Sequence, residues 1–330
     1  MIKIIQNRKI YFIISGILML ASIIALSVWG LNLGIDFTGG SLLEVQVQNE
    51  HLDYTAQDIT DIITTSVYEI GEVHTQPTQD GFLIRMQELS EQRHQAVLSV
   101  LSGPTKISDE LKDKFRASVE GGSGLSDEEI LALAKGEVTE KRFESIGPVI
   151  GQELKDKALW AIATALVIIV LFIAWSFRKV SKPVQSWKYG IGAILALTHD
   201  VLITTGVFAV LGHFFGMEVG ILFVTALLTI LGYSVNDTIV VYDRARENLI
   251  YNPQDTFEDT INKSVNETIG RSVNTSLTTL LVLFALYFLG GASIRDFVLT
   301  LILGVLLGTY SSIFIASPLL VVWQKLSRKK

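Results

Sequence analysis

The sequence predicts a polytopic α-helical membrane protein with six transmembrane helices and one α+β domain outside the membrane. Six apolar runs of about 20 residues are each long enough to cross a bilayer as a helix. Hydrophobic residues make up 49% of the 330 residues, and mean hydropathy is +0.43. The segment between the first two runs changes to the periodicity of a soluble domain. The chain contains no cysteine, which excludes disulfides, thiolate metal sites and cysteine nucleophiles.

The apolar runs define the predicted spans and the domain boundaries. The predicted spans are residues 10–29, 158–177, 190–211, 219–242, 272–289 and 297–323. The first run is longer than the apolar region of a signal peptide and lacks a clear cleavage site, so we expect a retained helix. The expected parts are residues 1–30 with the first helix, 31–157 as the external domain, and 158–330 as a five-helix bundle.

Lysine and arginine in the short connections predict the orientation of the chain. They precede the first span, join the second to the third, lie between the fourth and fifth, and follow the sixth, whereas the opposite connections carry only Arg295. Because positive residues are retained on the cytoplasmic side, we expect cytoplasmic termini and an extracytoplasmic segment 31–157. That segment holds 23 acidic and 11 basic residues. No soluble face carries a basic cluster, so nucleic acid is not an expected partner.

The external segment has the pattern of a small α+β domain. Alternating Leu43, Val45 and Val47 predict a first strand, and Ser90 is placed to cap the second helix, which runs through Leu101. The other predicted elements are a helix over 56–67, a hairpin of strands 73–76 and 82–86 around the turn 79–81, and a last strand over 142–146. The order β-α-β-β-α-β is the ferredoxin-like split βαβ arrangement, which many functions share.

An insertion over residues 104–138 separates the second helix from the last strand. Glycines at 121, 122 and 124 predict a flexible joint, and an acidic helix with a narrow apolar face begins at Asp127. We expect a solvated surface insertion, with a partner-binding element as the alternative.

The external histidines and the wider sequence give no case for catalysis. His51, His74 and His94 lack the spacing of metal ligands and are predicted to lie on the surface. No Ser/His/Asp set, phosphate-binding glycine loop or zinc motif occurs at useful spacing. We therefore expect no enzyme activity, no catalytic residue and no metal site.

A single carboxylate, Asp237, interrupts the fourth apolar run. A charge at mid-bilayer costs about 2.5 kcal/mol or more, so this side chain needs a partner, a water path or a proton. Thr225, Thr229 and Tyr233 recur at four-residue intervals with Asp237 and therefore line one helix face.

A cation at the start of the fifth predicted span is the natural compensation. Arg271 lies at the same end of the membrane as Asp237, and it begins a second polar stripe. The other members of that stripe are Asn274, Thr275, Thr278 and Thr279. We expect a buried ion pair between Asp237 and Arg271 that serves function, with a purely structural ion pair as the alternative.

Four further segments carry a resemblance over nearly the whole chain. They are residues 34–40 (GIDFTGG), 147–154 (GPVIGQEL), 199–201 (HDV), and 232–238 (GYSVNDT) followed by Asp243 and Arg244. Together they closely resemble the SecF family of bacterial protein-export membrane proteins, which is related to the resistance-nodulation-division exporters. The motif residues with an expected structural role are Asp36, Gly39, Gly40, Gly147, Pro148, His199 and Gly232.

The resemblance implies a subunit of the bacterial inner membrane that pairs with SecD and the SecYEG channel and acts on an unfolded preprotein. It implies contact with membrane lipid, use of the proton gradient with protons as the coupling ion, and no other cofactor. The aspartate of the family's asparagine-aspartate motif matches Asp237, which follows Asn236, and the arginine opening the fifth span matches Arg271. Asp200 either belongs to the same proton relay or only joins neighbouring helices, and both roles stay open. Gly304 and Gly308 are expected to allow close helix packing.

Two other functions remain possible from the sequence. Half of a proton-driven small-molecule or lipid exporter would share the helices and the charged pair. A passive membrane scaffold would use Asp237 for assembly alone. The insertion at 104–138 departs from the more compact domain expected of the family, so no contact is carried over to it.

Overall fold

The structure is a computed structural model that describes residues 2–68, 70–78, 80–119, 124–176, 186–251 and 254–328. It divides into two compact units. The external unit is Gly34–Lys155, and the bundle is Met1–Leu33 with Asp156–Lys330. Most of the predicted glycine joint lies outside the described residues. Each unit has its own core.

The elements are numbered in chain order. The first helix and the external unit contain α1 (Arg8–Val28), α2 (Ile35–Thr38), β1 (Gly40–Gln48), α3 (Ala56–Ser66), β2 (His74–Thr78), β3 (Gly81–Met86), α4 (Glu91–Ser102), α5 (Asp109–Ser118), α6 (Asp127–Leu133) and β4 (Glu137–Ile146). The bundle adds α7 (Pro148–Ser176), α8 (Ser186–Phe215), α9 (Ile221–Tyr251), α10 (Phe257–Leu289), α11 (Ala292–Ser311), a π-helical segment (Ser312–Ala316) and α12 (Ser317–Arg328).

The described strands of the external unit form one antiparallel sheet in the order β2-β3-β1-β4. This is the predicted split βαβ order. The alternation in β1 buries Leu43 and Val45 against Ile84 of β3, because successive side chains of a strand point to opposite faces. Thr55 caps α3 in a capping box, and Ser90 caps α4 through the backbone N–H of Arg93.

The insertion is part of the core, which corrects the expectation of a solvated surface segment. Its buried apolar residues are Ile107, Leu111, Phe115, Ile130 and Ala134. Asn49 Nδ2 donates to the carbonyls of Leu133 and Lys135 at 2.8 and 2.9 Å, which ties α6 to the end of β1. The sequence pattern was misleading because these helices are short, so a few buried positions per helix suffice to anchor them.

An ion pair between the partly exposed Lys114 and the buried Asp58 also joins the insertion to α3. Lys114 Nζ donates to Asp58 Oδ1 at 2.7 Å, and the backbone N–H of Thr55 donates to Oδ2 at 2.9 Å. Burial opposes ionisation of Asp58, but the hydrogen bonds from Lys114 and Thr55 outweigh it and hold the pKa of this carboxyl below its usual value. Burial, together with the nearby Asp58 charge, raises the pKa of Tyr54 to about 12.

His94 is buried, contrary to the prediction that it lies on the surface. It is 4% exposed, and its ring stacks on Phe143 of β4 with centroids 3.7 Å apart. Glu140 lies 3.3 Å from its Nε2. Helical periodicity places His94 on the same face as Val97 and Leu101, both of which are in the core.

The two adjacent glycines before β1 are required by backbone geometry. Gly39 has φ +74° and Gly40 has φ +127°, in the region that residues with a side chain rarely adopt. A Cβ on Gly39 would come within 2.8 Å of the Cα of Pro148. Any other residue at position 39 would therefore push the start of α7 away.

Six helical spans in the described residues are long and apolar enough to cross a membrane, as predicted. The helices extend beyond the predicted apolar runs, most of all α10, which begins at Phe257 rather than at residue 272. The apolar run marks only the part of a helix that hydrocarbon can cover, and the polar first turns of α10 continue the same backbone hydrogen bonding. Thr256 caps the true start.

Small residues on α11 bring it close to α9. A Cβ on Gly304 would overlap the side chain of Ile230, and one on Gly308 would lie 2.9 Å from Cβ of Ser234. The sixth span is helical throughout, as predicted, with a π-helical turn over Ser312–Ala316 between α11 and α12. Such turns are frequent at functional sites.

Candidate proton-coupling site

Asp237 lies on the face of α9 that contacts α10. Its Oδ1 accepts a hydrogen bond from Ser272 Oγ at 2.5 Å, and one helical turn earlier Tyr233 OH donates to Ser276 Oγ at 3.0 Å. Because residues four apart share a helix face, these two bonds form a seam between α9 and α10. Ser276 Oγ continues the seam to Thr309 of α11 at 2.5 Å.

The second carboxylate oxygen of Asp237 is buried and has no hydrogen-bond partner among the described residues. An unpaired buried oxygen on an acid is costly when the group is charged. A proton on Oδ2 removes that charge while leaving Oδ1 free to accept from Ser272. The geometry therefore suits a group that binds and releases one proton.

The predicted direct pair between Asp237 and Arg271 is not formed in the described residues. Arg271 is exposed on the surface of the bundle, whereas its neighbour Ser272 is buried and contacts Asp237. Consecutive helix residues are about 100° apart, so only one of the two can face α9. The charge of Arg271 acts on Asp237 from beyond ion-pair distance.

A cavity of about 580 Å³ opens at the end of α9 and α10 and reaches Arg271. Its other charged lining residues are Asp243, Arg244, Glu247 and Glu267. Arg244 pairs with Glu267 at 2.7 Å and with Glu247 at 2.5 Å. The cavity gives Arg271 a polar, charged surrounding on one side.

The polar stripes predicted on α9 and α10 lie mainly on the outside of the bundle. Thr225 and Thr229 are exposed, and their hydroxyls bond only to carbonyls of their own helix. The exposed members on α10, besides Arg271, are Asn274, Thr275 and Thr278. Asn236 is exposed beside Asp237. A membrane-spanning surface of this polarity is costly to expose to hydrocarbon.

A second row of hydrogen bonds joins another face of α9, which carries Ser234, Thr238 and Tyr242, to α8, α11 and the π-helical segment. Asp200 of α8 is fully buried, and its Oδ2 accepts from Ser234 Oγ at 2.6 Å and from Ser311 Oγ at 2.8 Å. One turn further along α9, Thr238 Oγ1 bonds to Ser312 Oγ at 2.8 Å. Another turn on, the hydroxyl of Tyr242 donates to a backbone carbonyl of the π-helical segment at 3.1 Å.

The remaining motif residues are placed as follows. Asp36 lies in the short helix α2, Gly39 and Gly40 form the turn into β1, and Pro148 begins α7 after Gly147. Gly232 lies on an exposed face, where a Cβ would meet nothing within 4 Å. No group of His, Asp and Glu in the described residues could hold a metal ion.

Sequence reasoning missed the serines that contact the two aspartates. Ser272, Ser234 and Ser311 are each buried inside a membrane-spanning helix. A usable signal existed, because buried hydroxyls in such helices hydrogen-bond across the interface or to their own backbone. Their partners depend on helix rotation, which the sequence does not report.

Family models match most of this chain. The family described as "Protein export membrane protein SecD/SecF, C-terminal" matches residues 127–326, and the SecD/SecF GG motif matches residues 24–50. The second match covers Gly39 and Gly40, and the first covers Asp200 and Asp237.

Curated relatives match it over nearly the full length. The protein translocase subunit SecF of Thermobaculum terrenum is 40% identical over 324 residues, covering 98% of this chain and 94% of the relative. The protein of the same name from Anaerolinea thermophila is 35% identical over 328 residues, with 98% and 94% covered.

Solved structures have the same architecture. SecDF from Thermus thermophilus, described as a translocon-associated membrane protein, is 31% identical with a TM-score of 0.74, covering 97% of this chain. SecDF in a super-membrane-facing form is 32% identical with a TM-score of 0.63, covering 99% of this chain. This chain spans 38% and 39% of those two longer chains.

Proposed function

We propose that this chain, which belongs to the SecD/SecF family of protein-export membrane proteins, is a SecF-type translocase subunit. In this role it couples proton movement to preprotein export. The observation that carries the proposal is the half-buried Asp237, with one oxygen bonded to Ser272 and the other buried and unpaired. A group in this setting exchanges a proton at the unpaired oxygen, and the change of charge alters how α9 and α10 pack.

The proposed partner is SecD, and the polar outer stripe of α9 and α10 is the surface that it would cover. Arg271 is an exposed permanent cation on a membrane-spanning helix, and Asn236 and Thr229 share that outer surface. Burying these groups against lipid would cost several kcal/mol in total, at about 2.5 kcal/mol or more for the arginine alone. A partner with an acidic side chain opposite Arg271 removes that cost. SecYEG and an unfolded preprotein complete the assembly.

The orientation follows from the charges of the connections. The termini and the positively charged connections lie in the cytoplasm, and Gly34–Lys155 lies outside the bacterial inner membrane. Helices α1 and α7 expose mostly apolar side chains along their membrane-spanning windows and contact lipid.

The proton gradient supplies energy at Asp237. One proton moving through about 100 mV yields roughly 2.3 kcal/mol, which shifts a balanced two-state equilibrium without driving it to completion. A proton arriving from outside neutralises Asp237 and weakens its attraction to Arg271. Release toward the cavity at Arg271 restores the charge, and repeated cycles bias the preprotein outward.

Asp237→Asn tests the function because it keeps the shape of the side chain and removes the titrating group. The chain is reconstituted with SecD and SecYEG in sealed vesicles, and preprotein export is measured with and without a proton gradient. We expect the gradient-stimulated part to be lost and the remainder to persist. Asp259→Asn, the same change at an exposed residue of α10, is the matched control. Undiminished stimulation in Asp237→Asn would refute the proposal.

A further inference from the structure

His199 and Asp200 form a buried pair that the proton step at Asp237 does not use. They are 1% and 0% exposed, and His199 Nδ1 lies 2.9 Å from Asp200 Oδ1. Hydrogen bonds extend from the pair to α1, α9 and α11. The sequence left the role of Asp200 open between proton relay and helix packing.

The hydroxyls on the histidine side determine which ring nitrogen carries a hydrogen. Ser15 Oγ donates its only proton to Tyr310 OH at 3.3 Å, and Tyr310 OH donates to the carbonyl of Tyr11 at 3.3 Å. Ser15 Oγ is therefore left as an acceptor for His199 Nε2, which lies 3.1 Å away. Nε2 of His199 carries a hydrogen in this arrangement.

The hydroxyls on the aspartate side occupy its other oxygen. Oδ2 of Asp200 accepts from both Ser234 and Ser311. One proton then lies between His199 Nδ1 and Asp200 Oδ1, giving either an ion pair or a neutral pair, and both have no net charge. Removing it would set two lone pairs against each other at 2.9 Å in a site without water access, which is strongly unfavourable.

The pair also controls the rotation of α9. Ser234 bonds to Asp200 and precedes Asp237 by three residues. The two side chains are therefore about 4.5 Å apart along the axis of α9 and point in directions about 60° apart around it. Holding Ser234 against Asp200 therefore sets the direction in which Asp237 faces Ser272. Besides the pair itself, the titratable group that contacts this network in the described residues is Tyr310, whose ring centroid is 6.0 Å from that of His199.

We propose that the His199–Asp200 pair keeps its proton throughout turnover and is the positioning element for Asp237, not a step in the proton path. This inference rests on the proposed function at Asp237. Ser234→Ala, which removes no titrating group, should therefore change the pH dependence of coupling more than Asp200→Asn does.

Two variants in the vesicle assay give opposite results under the two roles. In Asp200→Asn, Nδ2 donates to His199 Nδ1 and Oδ1 accepts from both serines, so the network survives. We expect gradient-stimulated export within about fivefold of the unsubstituted chain, with the same pH at half-maximal rate, because about one neutral hydrogen bond changes. Ser234→Ala should shift that pH by about 0.7 unit, the equivalent of one neutral hydrogen bond in the positioning of Asp237.

Loss of stimulation in Asp200→Asn equal to that of Asp237→Asn, with an unshifted pH profile in Ser234→Ala, overturns the inference. Retained stimulation in Asp237→Asn instead overturns the proposed function, so the two failures are distinguishable. Nitrogen-15 NMR of the unsubstituted chain covers the case in which a variant does not fold. We expect both ring-nitrogen signals of His199, assigned through single substitutions of the other histidines, to stay unchanged from about pH 5.5 to 8.5. A change of the Nδ1 signal in that range contradicts a proton retained between Nδ1 and Asp200 Oδ1.

Discussion

Replacing Phe115 with alanine tests whether the insertion belongs to the core of the external unit. The side chain is 0% exposed, and its ring meets the edge of Tyr54 with centroids 6.2 Å apart. Truncation loses the buried apolar surface and leaves a cavity that the neighbouring helices fill only in part. The expected cost is about 3–5 kcal/mol, a large fraction of the 5–15 kcal/mol that stabilises a typical domain.

Hydrogen exchange of the purified full chain in detergent measures this cost. Amides of β1, α3 and α4 that exchange by global opening of the unit should exchange about a hundredfold faster or more in Phe115→Ala. Tyr68→Ala, which truncates an aromatic side chain that is 85% exposed, should leave those rates within about threefold. If Phe115→Ala accelerates exchange only within α5 itself, the insertion is peripheral and the reasoning is wrong.

Two further substitutions test separate contacts. Lys114→Met removes the partner of Asp58 and should cost the external unit about 1–2 kcal/mol at neutral pH by hydrogen exchange. Because the folded pKa of Asp58 is lowered, this difference exists above the unfolded value near 3.9 and should shrink as pH falls through the folded value; a pH-independent difference would contradict it. Gly304→Ala forces a Cβ into Ile230 and should destabilise the bundle by about 1–3 kcal/mol in thermal unfolding. Gly270→Ala, where a Cβ meets nothing within 4 Å, is its control, and equal effects would refute close packing at Gly304.

The membrane spans and the external fold were predictable because each rests on a local pattern. A run of apolar residues as long as the bilayer is thick has few alternatives to a spanning helix. Strand alternation around Leu43 and the cap at Ser90 act within a few residues, so the order of elements could be predicted from the sequence. Helix ends outside the apolar runs were less accessible, as the early start of α10 shows.

Errors arose where burial depends on a distant partner. His94 and Phe115 lie on short helices with few apolar residues; His94 is buried against Phe143 of β4, and Phe115 is buried against Tyr54. The sequence pattern predicted that His94 lies on the surface and that the insertion containing Phe115 is solvated. The fold decided which side of each helix was covered.

Some features of the proton-coupling site were predictable from the sequence, and others depended on tertiary packing. The sequence alone determined that Asp237 is an acid within a membrane-spanning helix and that Arg271 is a cation at the same end, because hydrocarbon makes any such charge conspicuous. Only the tertiary structure decided that Ser272 faces Asp237 while Arg271 faces outward, and that Asp200 holds Ser234. The reason is rotational: a helix presents each residue in one direction, and the packing of α8, α10 and α11 around α9 sets that direction.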